Sequence, residues 1–219
     1  TVVLDKTGTI TKGHLEVVEF FTADGITIPL SELSQHSMLN SYVSLAIGKN
    51  TQSMFDSEGR VIGGNATDQA LMKFLGIKAY KQLEGTCTVT QSQSFNSANK
   101  FSQAYLGAME KTFYKGAPER LLAVSSKYLS LTGEERTINS EILNAKIDEL
   151  ANKSMRVLAF GYSTKTMTED KINDDTIIIG FVGIRDDVRP EAREAIAAVQ
   201  NAGIQVVMIT GDRLETAVA

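Results

Sequence analysis

The first nine residues constrain the fold most, because a short strand-like run, Thr1 to Leu4, stops at Asp5 and is followed by Lys-Thr-Gly-Thr. A buried strand that ends at an acid places the carboxylate at the rim of a parallel sheet, where open α/β folds bind ligands. Gly8 permits a sharp turn, and the surrounding hydroxyls and amides can face a phosphate. Two interpretations stay open at this point: a carboxylate that attacks phosphorus, or an Asx turn that ends a strand.

The composition of the 219 residues is that of a globular protein, with 42% apolar and 22% charged residues. The net charge of −4 comes without a dense Lys/Arg run, which argues against a nucleic-acid partner. The longest apolar run, residues 177–184, is too short to cross a bilayer, so we expect the 219-residue chain to be soluble. Cys87 is the single cysteine, which excludes an internal disulfide and fits a reducing compartment.

The last third of the chain has a second strand that ends in a polar turn. An apolar run at 176–184 precedes a helical pattern at 191–202, and a strand at 204–209 stops at Thr210-Gly211-Asp212. Strand, helix and strand in this order predict a βαβ unit, with the opening strand in the same parallel sheet. Both polar turns would then lie at one rim.

The middle of the chain has a different character, which predicts a separate domain. We expect an antiparallel sheet with helices on one side, joined to the flanking segments by two hinge strands near 12–14 and 185–187. Strands are predicted at 15–21, 26–30, 87–95, 101–106, 111–115 and 156–162, and helices at 31–48, 67–75, from Pro118 and at 142–155.

The two ends of the sequence indicate a piece of a longer protein. Residue 1 already lies in a strand-like run, and residues 215–219 have the pattern of a helix that has just begun. We therefore expect further chain on both sides.

Three motifs resemble those of P-type cation-transporting ATPases in order and spacing: Asp5-Lys6-Thr7-Gly8-Thr9, Lys115-Gly116-Ala117-Pro118-Glu119 and Thr210-Gly211-Asp212. The resemblance covers the whole chain. Residues 63–68 and 95–100 are most similar to the class with the calcium and sodium/potassium pumps. Heavy-metal pumps typically carry a His-Pro pair in the inserted domain, and because neither histidine of this chain precedes a proline, that class is disfavoured.

This resemblance implies a fold that is both α/β and α+β. Residues 1–13 and 186–219 would form part of a Rossmann-like phosphorylation domain of the haloacid-dehalogenase type. An antiparallel-sheet nucleotide-binding domain with helices, residues 14–185, would interrupt it.

The resemblance also implies catalytic roles for Asp5, Lys6 and Thr7, with Asp5 as the nucleophile. A Mg²⁺ ion would bridge the Asp5 carboxylate and the phosphate, with the Thr7 carbonyl as a further ligand. Thr7 replaces the second acid of related phosphatases, which should slow hydrolysis of the aspartyl phosphate. The turn Thr210-Gly211-Asp212 would contact the phosphoryl group and the nucleotide or metal, the alternative being an ordinary turn after a strand.

In the inserted domain, Phe95 resembles the residue that stacks on adenine, the alternative being a core phenylalanine. Lys100 follows it at the spacing of the family and is implied to bind nucleotide. Lys115 would project into the adenine pocket, and Gly116 would let the backbone approach the ligand. The alternative for Lys115 is a lysine at a strand end.

Two further residues are implied to contact the nucleotide. Asp68 would accept a hydrogen bond from the adenine amino group, although an acid in a first helical turn is common for dipole reasons alone. Arg156 would reach the phosphate tail, the alternative being a surface ion pair.

The implied function is that of the ATP-binding and phosphoryl-acceptor region of a pump for Ca²⁺ or another light cation, on the cytoplasmic face of a membrane. Its partners would be ATP, Mg²⁺ and the membrane and actuator domains of the parent protein, while the transported cation would bind elsewhere. Alone, the segment should bind ATP without completing the phosphorylation site. Two alternatives stay open, a soluble phosphatase with a large cap domain and a nucleotide-binding module without chemistry. Thr7 and the pocket around Lys115 argue against the first, and an intact Asp5 argues against the second.

Overall fold

The computed structural model describes residues 1–210, apart from the side chain of Thr7. A turn of π-helix spans Lys6–Ile10, and 3-10 turns span Leu33–Gln35 and Gly107–Met109. The strands are β1 (Val2–Asp5), β2 (Thr11–Phe21), β3 (Thr27–Ile28), β4 (Ser53–Phe55), β5 (Val61–Gly63), β6 (Val89–Gln93), β7 (Phe101–Leu106), β8 (Lys111–Gly116), β9 (Lys127–Leu129), β10 (Glu135–Thr137), β11 (Arg156–Ser163), β12 (Ile177–Val188) and β13 (Val206–Ile209). The α-helices are α1 (Ser37–Gly48), α2 (Ala66–Leu75), α3 (Ile77–Glu84), α4 (Pro118–Leu122), α5 (Ser140–Asn152) and α6 (Ala192–Asn201).

A nine-stranded sheet forms the centre of the molecule, in the order β10-β9-β12-β11-β8-β7-β6, with β2 on β12 and β3 on β2. Only the short pairing of β9 with β12 is parallel, so the predicted antiparallel sheet is confirmed. The small hairpin β4–β5 lies apart from it. This hairpin, α3, β9 and β10 were not predicted from the sequence.

Helices cover both faces of the large sheet, so the prediction of helices on one side is wrong. Neighbouring residues of β8, Phe113 and Tyr114, are both buried but belong to different cores. One core contains α1 and α2, with α3 packed against it, and the other contains α4 and α5. A strand that is apolar at consecutive positions has two faces to bury, which requires a helical layer on each.

The two long strands β2 and β12 pair at their outer ends, where Val188 lies opposite Thr11 and Asp186 opposite Leu15. The two segments that the sequence predicts as hinges, near 12–14 and 185–187, therefore belong to neighbouring, paired strands, and their role as hinges stays a prediction. They form a ribbon that leads from the large sheet to the first and last described strands.

The parallel pairing of β1 with β13 is also confirmed, with Asp5 opposite Ile209. Thr210 follows directly, so Asp5 and Thr210 lie at the same edge, whereas Gly211 and Asp212 fall outside the described residues. The predicted βαβ unit is wrong in one respect. Its first strand, β12, belongs to the large sheet, and within residues 1–210 β13 pairs with β1 alone.

Several helix boundaries differ from the prediction, and α5 spans Ser140–Asn152 instead of 142–155. The helical pattern at 31–48 is broken at His36, whose φ of −96° and ψ of 77° separate a 3-10 turn from α1. Helix α6 begins at Ala192, two residues after Pro190, and Gly203 with φ of +76° lies just past its end, as a helix C-terminus favours. No α-helix within residues 1–210 is long and apolar enough to cross a bilayer.

Candidate functional site

A cleft of about 330 Å³ opens beside α2 and the strands β6, β7 and β8. Its walls include Asn50, Asp68, Gln93, Phe95, Ser102 and Lys115. Three residues that the sequence predicted as nucleotide ligands, Asp68, Phe95 and Lys115, therefore meet in one place.

The centre of the cleft is an ion pair between Lys115 and Asp68. Lys115 Nζ lies 2.5 Å from Asp68 Oδ1 and donates a second hydrogen bond of 2.7 Å to the Asn50 carbonyl. Counted over the whole residue, including its backbone, Lys115 is 5% exposed and Asp68 is 6% exposed. Burial lowers the pKa of Lys115 below its ordinary value of 10.5, although the Asp68 carboxylate acts in the opposite direction. Lys115 is therefore a buried side chain of the cleft, although it also lies next to the last residue of β8, as the alternative of a lysine at a strand end stated.

The segment before α2 fixes the place of Asp68. Gly63 and Gly64 have φ of +71° and +65°, a left-handed conformation that side chains disfavour. A Cβ on Gly64 would also collide with the Ser53 hydroxyl. Asn65 then caps α2, since its Oδ1 accepts a hydrogen bond of 2.9 Å from the Asp68 amide. Asp68 thus lies in the first helical turn, where the helix dipole favours an acid.

Asn50 is a residue of the site that sequence reasoning missed. It is buried, and its Nδ2 donates to the Ser102 carbonyl at 3.1 Å and to the Phe113 carbonyl at 3.4 Å. These bonds fix the backbone carbonyl that receives Lys115. An asparagine just after a helix is a common C-terminal residue, so no local signal distinguishes it.

Phe95 is 49% exposed and its side chain faces the cleft, which excludes the alternative of a core phenylalanine. It belongs to a loop, residues 94–100, that is closed by a hydrogen bond of 2.8 Å from the Lys100 amide to the Asn96 carbonyl. Gln52 Nε2 donates to Ser94 Oγ at 2.7 Å and ties the first residue of this loop to the opposite wall. An exposed aromatic ring on a fixed loop is a surface on which a flat ligand can stack.

Two other predicted ligands lie outside the cleft. Lys100 Nζ is on the surface, 3.5 Å from Glu119 Oε1. Arg156 is exposed at the start of β11, four residues from Phe160, which pairs with Lys115. Arg156 therefore lies about 13 Å along β11 from the position opposite Lys115.

Gly116 is required by packing, and the expectation that it also lets the backbone approach a ligand stays a prediction. A Cβ at this position would lie 2.6 Å from the Lys100 carbonyl oxygen and 2.6 Å from Phe101 Cβ. The glycine therefore lets β8 lie close to β7.

A second group of residues surrounds Asp5. Asp5 is exposed at the end of β1, and the π-helical turn Lys6–Ile10 follows it. Thr11 is fully buried, donates a hydrogen bond of 2.5 Å to Asp186 Oδ2 and accepts one of 3.1 Å from the Gly8 amide. Arg189 donates to the carbonyls of Gly8 and Thr11, each at 3.1 Å. Side chains of β2, of β12 and of the residue after β12 thus hold the turn that follows Asp5.

The donors near Asp5 suit a magnesium ion that is shared with a phosphate. Within residues 1–210, no group of three or more His, Cys, Asp or Glu side chains could hold a metal. Mg²⁺ normally uses one or two carboxylates and completes its shell with phosphate oxygens and water. The Asp5 carboxylate and the Thr7 carbonyl are oxygen donors of this kind.

Comparison with known proteins shows a family match across most of the chain. Residues 29–191 match the model of a family described as P-type ATPase, cytoplasmic domain N. Calcium-transporting ATPase 1 of Saccharomyces cerevisiae is 31% identical over 243 residues, which cover 98% of this chain and 26% of the yeast protein. Calcium-transporting ATPase 7, plasma membrane-type, of Oryza sativa subsp. japonica is 33% identical over 234 residues, 97% of this chain and 22% of the relative. The chain spans about a quarter of the length of these curated relatives.

Proposed function

The chain belongs to the P-type ATPases, and on that premise we propose that it is the ATP-binding and phosphoryl-acceptor region of a pump for Ca²⁺ or another light cation. The observation that carries the proposal is the buried pair of Lys115 and Asp68 beside the half-exposed ring of Phe95. An aromatic face, a cationic donor and an anionic acceptor around one cleft are the groups that recognise a purine base.

In this proposal, Phe95 stacks on the adenine ring while Lys115 and Asp68 bind its polar edge. The loop that carries Phe95 and the N-terminus of α2 that carries Asp68 are both fixed by local hydrogen bonds. Such a preformed site loses little conformational freedom on binding. The phosphates would then extend from the cleft toward solvent, with Lys100 and Arg156 as contacts only after a movement of either residue or ligand.

Asp5 is proposed to accept the γ-phosphoryl group. One of its carboxylate oxygens bonds to the γ-phosphorus as the bond to the β–γ bridging oxygen breaks, and ADP leaves with the electron pair. The Asp5 carboxylate and the Thr7 carbonyl would hold the Mg²⁺ ion, which supplies neutralisation of phosphate charge when bound. Thr11, Asp186 and Arg189 keep the turn after Asp5 in place.

We propose the domain division 1–13, 14–185 and 186–219, in which the paired ends of β2 and β12 connect the nucleotide cleft to the Asp5 edge. Delivery of the γ-phosphate to Asp5 then requires a hinge movement of this ribbon, as in other two-domain phosphoryl-transfer enzymes. The hydrogen bonds of Arg189 to the carbonyls of Gly8 and Thr11 would transmit that movement to the catalytic turn.

The parent protein is proposed to add membrane and actuator domains and to place this region on the cytoplasmic side of a membrane. The relatives carry the name calcium-transporting ATPase and are about four times longer than the matched region. The phosphatase and the module without chemistry are not favoured, because the family match covers residues 29–191.

Two experiments test the proposal. Calorimetric titration of the chain with ATP should show binding, which Lys115→Ala abolishes while the exposed substitution Lys127→Ala does not. In the complete protein, radiolabelled ATP should give an acid-stable, hydroxylamine-labile phosphoenzyme that is absent in Asp5→Asn. A label that persists in Asp5→Asn would exclude Asp5 as the acceptor.

A further inference from the structure

The loop between β11 and β12, residues 164–176, is anchored firmly to the sheet. Asn173 is buried, and its Nδ2 donates to Ser163 Oγ at 3.0 Å and to the Thr166 carbonyl at 3.1 Å. Asp175 accepts hydrogen bonds from Ser163 Oγ at 2.5 Å and from the Thr164 amide at 3.1 Å. These two side chains therefore tie the later part of the loop to its own beginning.

Asp170 lies in a turn of this loop, which the hydrogen bond from the Lys171 amide to the Thr168 carbonyl closes, and it contacts Gln93 in the wall of the cleft. Its Oδ1 accepts hydrogen bonds from Gln93 Nε2 and from Asn99 Nδ2, and its amide donates to Gln93 Oε1 at 2.9 Å. The backbone of Asp170 has φ of +58°, a left-handed conformation that Asp and Asn tolerate better than most residues. Gln103, fully buried, adds hydrogen bonds to Gln93 Oε1 at 2.6 Å and to the Thr168 carbonyl at 2.7 Å.

Gln93 directly precedes the loop 94–100 that carries Phe95, and Asn99 lies near the end of that loop. Gln93 is the last residue of β6. Asn99 Nδ2 donates a hydrogen bond to Asp170 Oδ1, and the Asn99 backbone amide donates one to Asn96 Oδ1. One carboxylate oxygen therefore ties both ends of this loop to the same fixed point. A loop whose ends are held loses less freedom when its aromatic ring binds a ligand.

We propose that Asp170 is a positioning residue for nucleotide binding, which acts through Gln93 and Asn99 to hold the Phe95 loop against the cleft. The inference rests on the proposed function, because it assigns Phe95 to the adenine ring. Since Asp170 itself is exposed, its hydrogen bonds contribute modestly, and their loss should weaken binding rather than abolish it.

The test compares three variants of the complete 219-residue chain. Asp170→Gly removes the carboxylate without straining the left-handed backbone, and Asp170→Asn keeps the oxygen that accepts both hydrogen bonds. Glu110→Gly is the matched control, because Glu110 is also an acid with positive φ, 52°, but lies in the turn between β7 and β8. Affinities for ATP, ADP and AMP, thermal unfolding, and hydrogen exchange of residues 94–100 are measured for each.

Asp170→Gly should raise the Kd about fivefold, equally for ATP, ADP and AMP, because the loop contacts the base and not the phosphates. In Asp170→Gly, hydrogen exchange should accelerate at the Asn99 and Lys100 amides. The Kd values of Asp170→Asn and Glu110→Gly should equal those of the unaltered chain. Unchanged affinity in Asp170→Gly, with the unaltered chain binding ATP normally, would overturn the inference and leave the proposed function intact. A fall in affinity that follows only a general loss of stability would overturn it as well. Absence of ATP binding in the unaltered chain would instead contradict the proposed function.

Discussion

Lys115 Nζ lies 2.5 Å from Asp68 Oδ1, and the two side chains are only 6% and 9% exposed. Neither charge has free access to water, so each depends on the other for its solvation. The pair joins β8 to α2 across a long stretch of sequence and therefore fixes the floor of the cleft as well as its charge. Stability and ligand binding are expected to depend on the same two residues.

Removal of one partner should be far more harmful than removal of both. Lys115→Met leaves a buried carboxylate without its cation and should lower the free energy of unfolding by about 3–5 kcal/mol. The double variant Lys115→Met/Asp68→Leu should recover part of that loss, because no buried charge remains at this pair. Urea unfolding at pH 7 measures the free energy of unfolding of Lys115→Met, of Asp68→Leu and of the double variant. If the loss in the double variant equals the sum of the losses in the two single variants, the prediction is contradicted.

A methyl group at Gly116 should destabilise the chain, because a Cβ there meets the Lys100 carbonyl oxygen and Phe101 Cβ at 2.6 Å. We expect Gly116→Ala to cost about 1–3 kcal/mol, as overpacking of a core does. Gly85→Ala is the control, since Gly85 has φ of −96° and, among residues 1–210, no atom other than those of Gly85 and its two chain neighbours lies within 4 Å of the point that its Cβ would occupy. Equal melting temperatures for the two variants would show that the close approach of β7 and β8 does not need glycine.

The hydroxyl of Thr11 should stabilise the hinge. Thr11→Val keeps the shape of the side chain but leaves Asp186 Oδ2 and the Gly8 amide without their partner, which should cost about 1–3 kcal/mol. In the complete protein, the same change should slow phosphoenzyme formation, because the turn after Asp5 loses a support. Thr137→Val, an exposed position on β10, is the control for both measurements. A stable Thr11→Val with a normal rate of phosphorylation would contradict this role.

Asp175 should make the loop 164–176 sensitive to acid. Burial pushes its pKa upward, but hydrogen bonds from Ser163 and Thr164 outweigh that effect and hold the pKa below its ordinary value of 3.8. A carboxyl with a lowered pKa stabilises the folded state above pH 3.8, and this contribution is lost as the pH falls through the folded-state pKa. The chain should therefore be more stable than Asp175→Asn at pH 6, and the two melting temperatures should converge in acid. Asp148→Asn, an exposed position of α5, is the control, and a constant difference across the range would refute the prediction.

Local sequence patterns predicted the parallel pairing of the strand before Asp5 with the strand before Thr210, which is confirmed. The family resemblance implied Phe95, Asp68 and Lys115 as nucleotide ligands, and the three residues line one cleft, while their contacts with a nucleotide stay a prediction. The contacts that hold these residues in place were not predicted. Asn50 bonds to a residue 52 positions away, and Asp170 to one 77 positions away, so their roles depend on the packing of separate segments. Such long-range partners leave no periodic or motif signal in a single sequence.

The most direct measurement is the affinity of the chain for ATP when Phe95 is changed to alanine. Because the Phe95 ring is 49% exposed, its removal should leave the fold intact, and Met54→Ala, at a residue 53% exposed on the β4–β5 hairpin, is a matched control. Stacking of a base on an aromatic ring contributes about 1–3 kcal/mol. We therefore expect Phe95→Ala to raise the Kd for ATP about 5- to 150-fold, with no change for Met54→Ala. An unchanged Kd in Phe95→Ala would show that the cleft beside Lys115 and Asp68 does not bind the base.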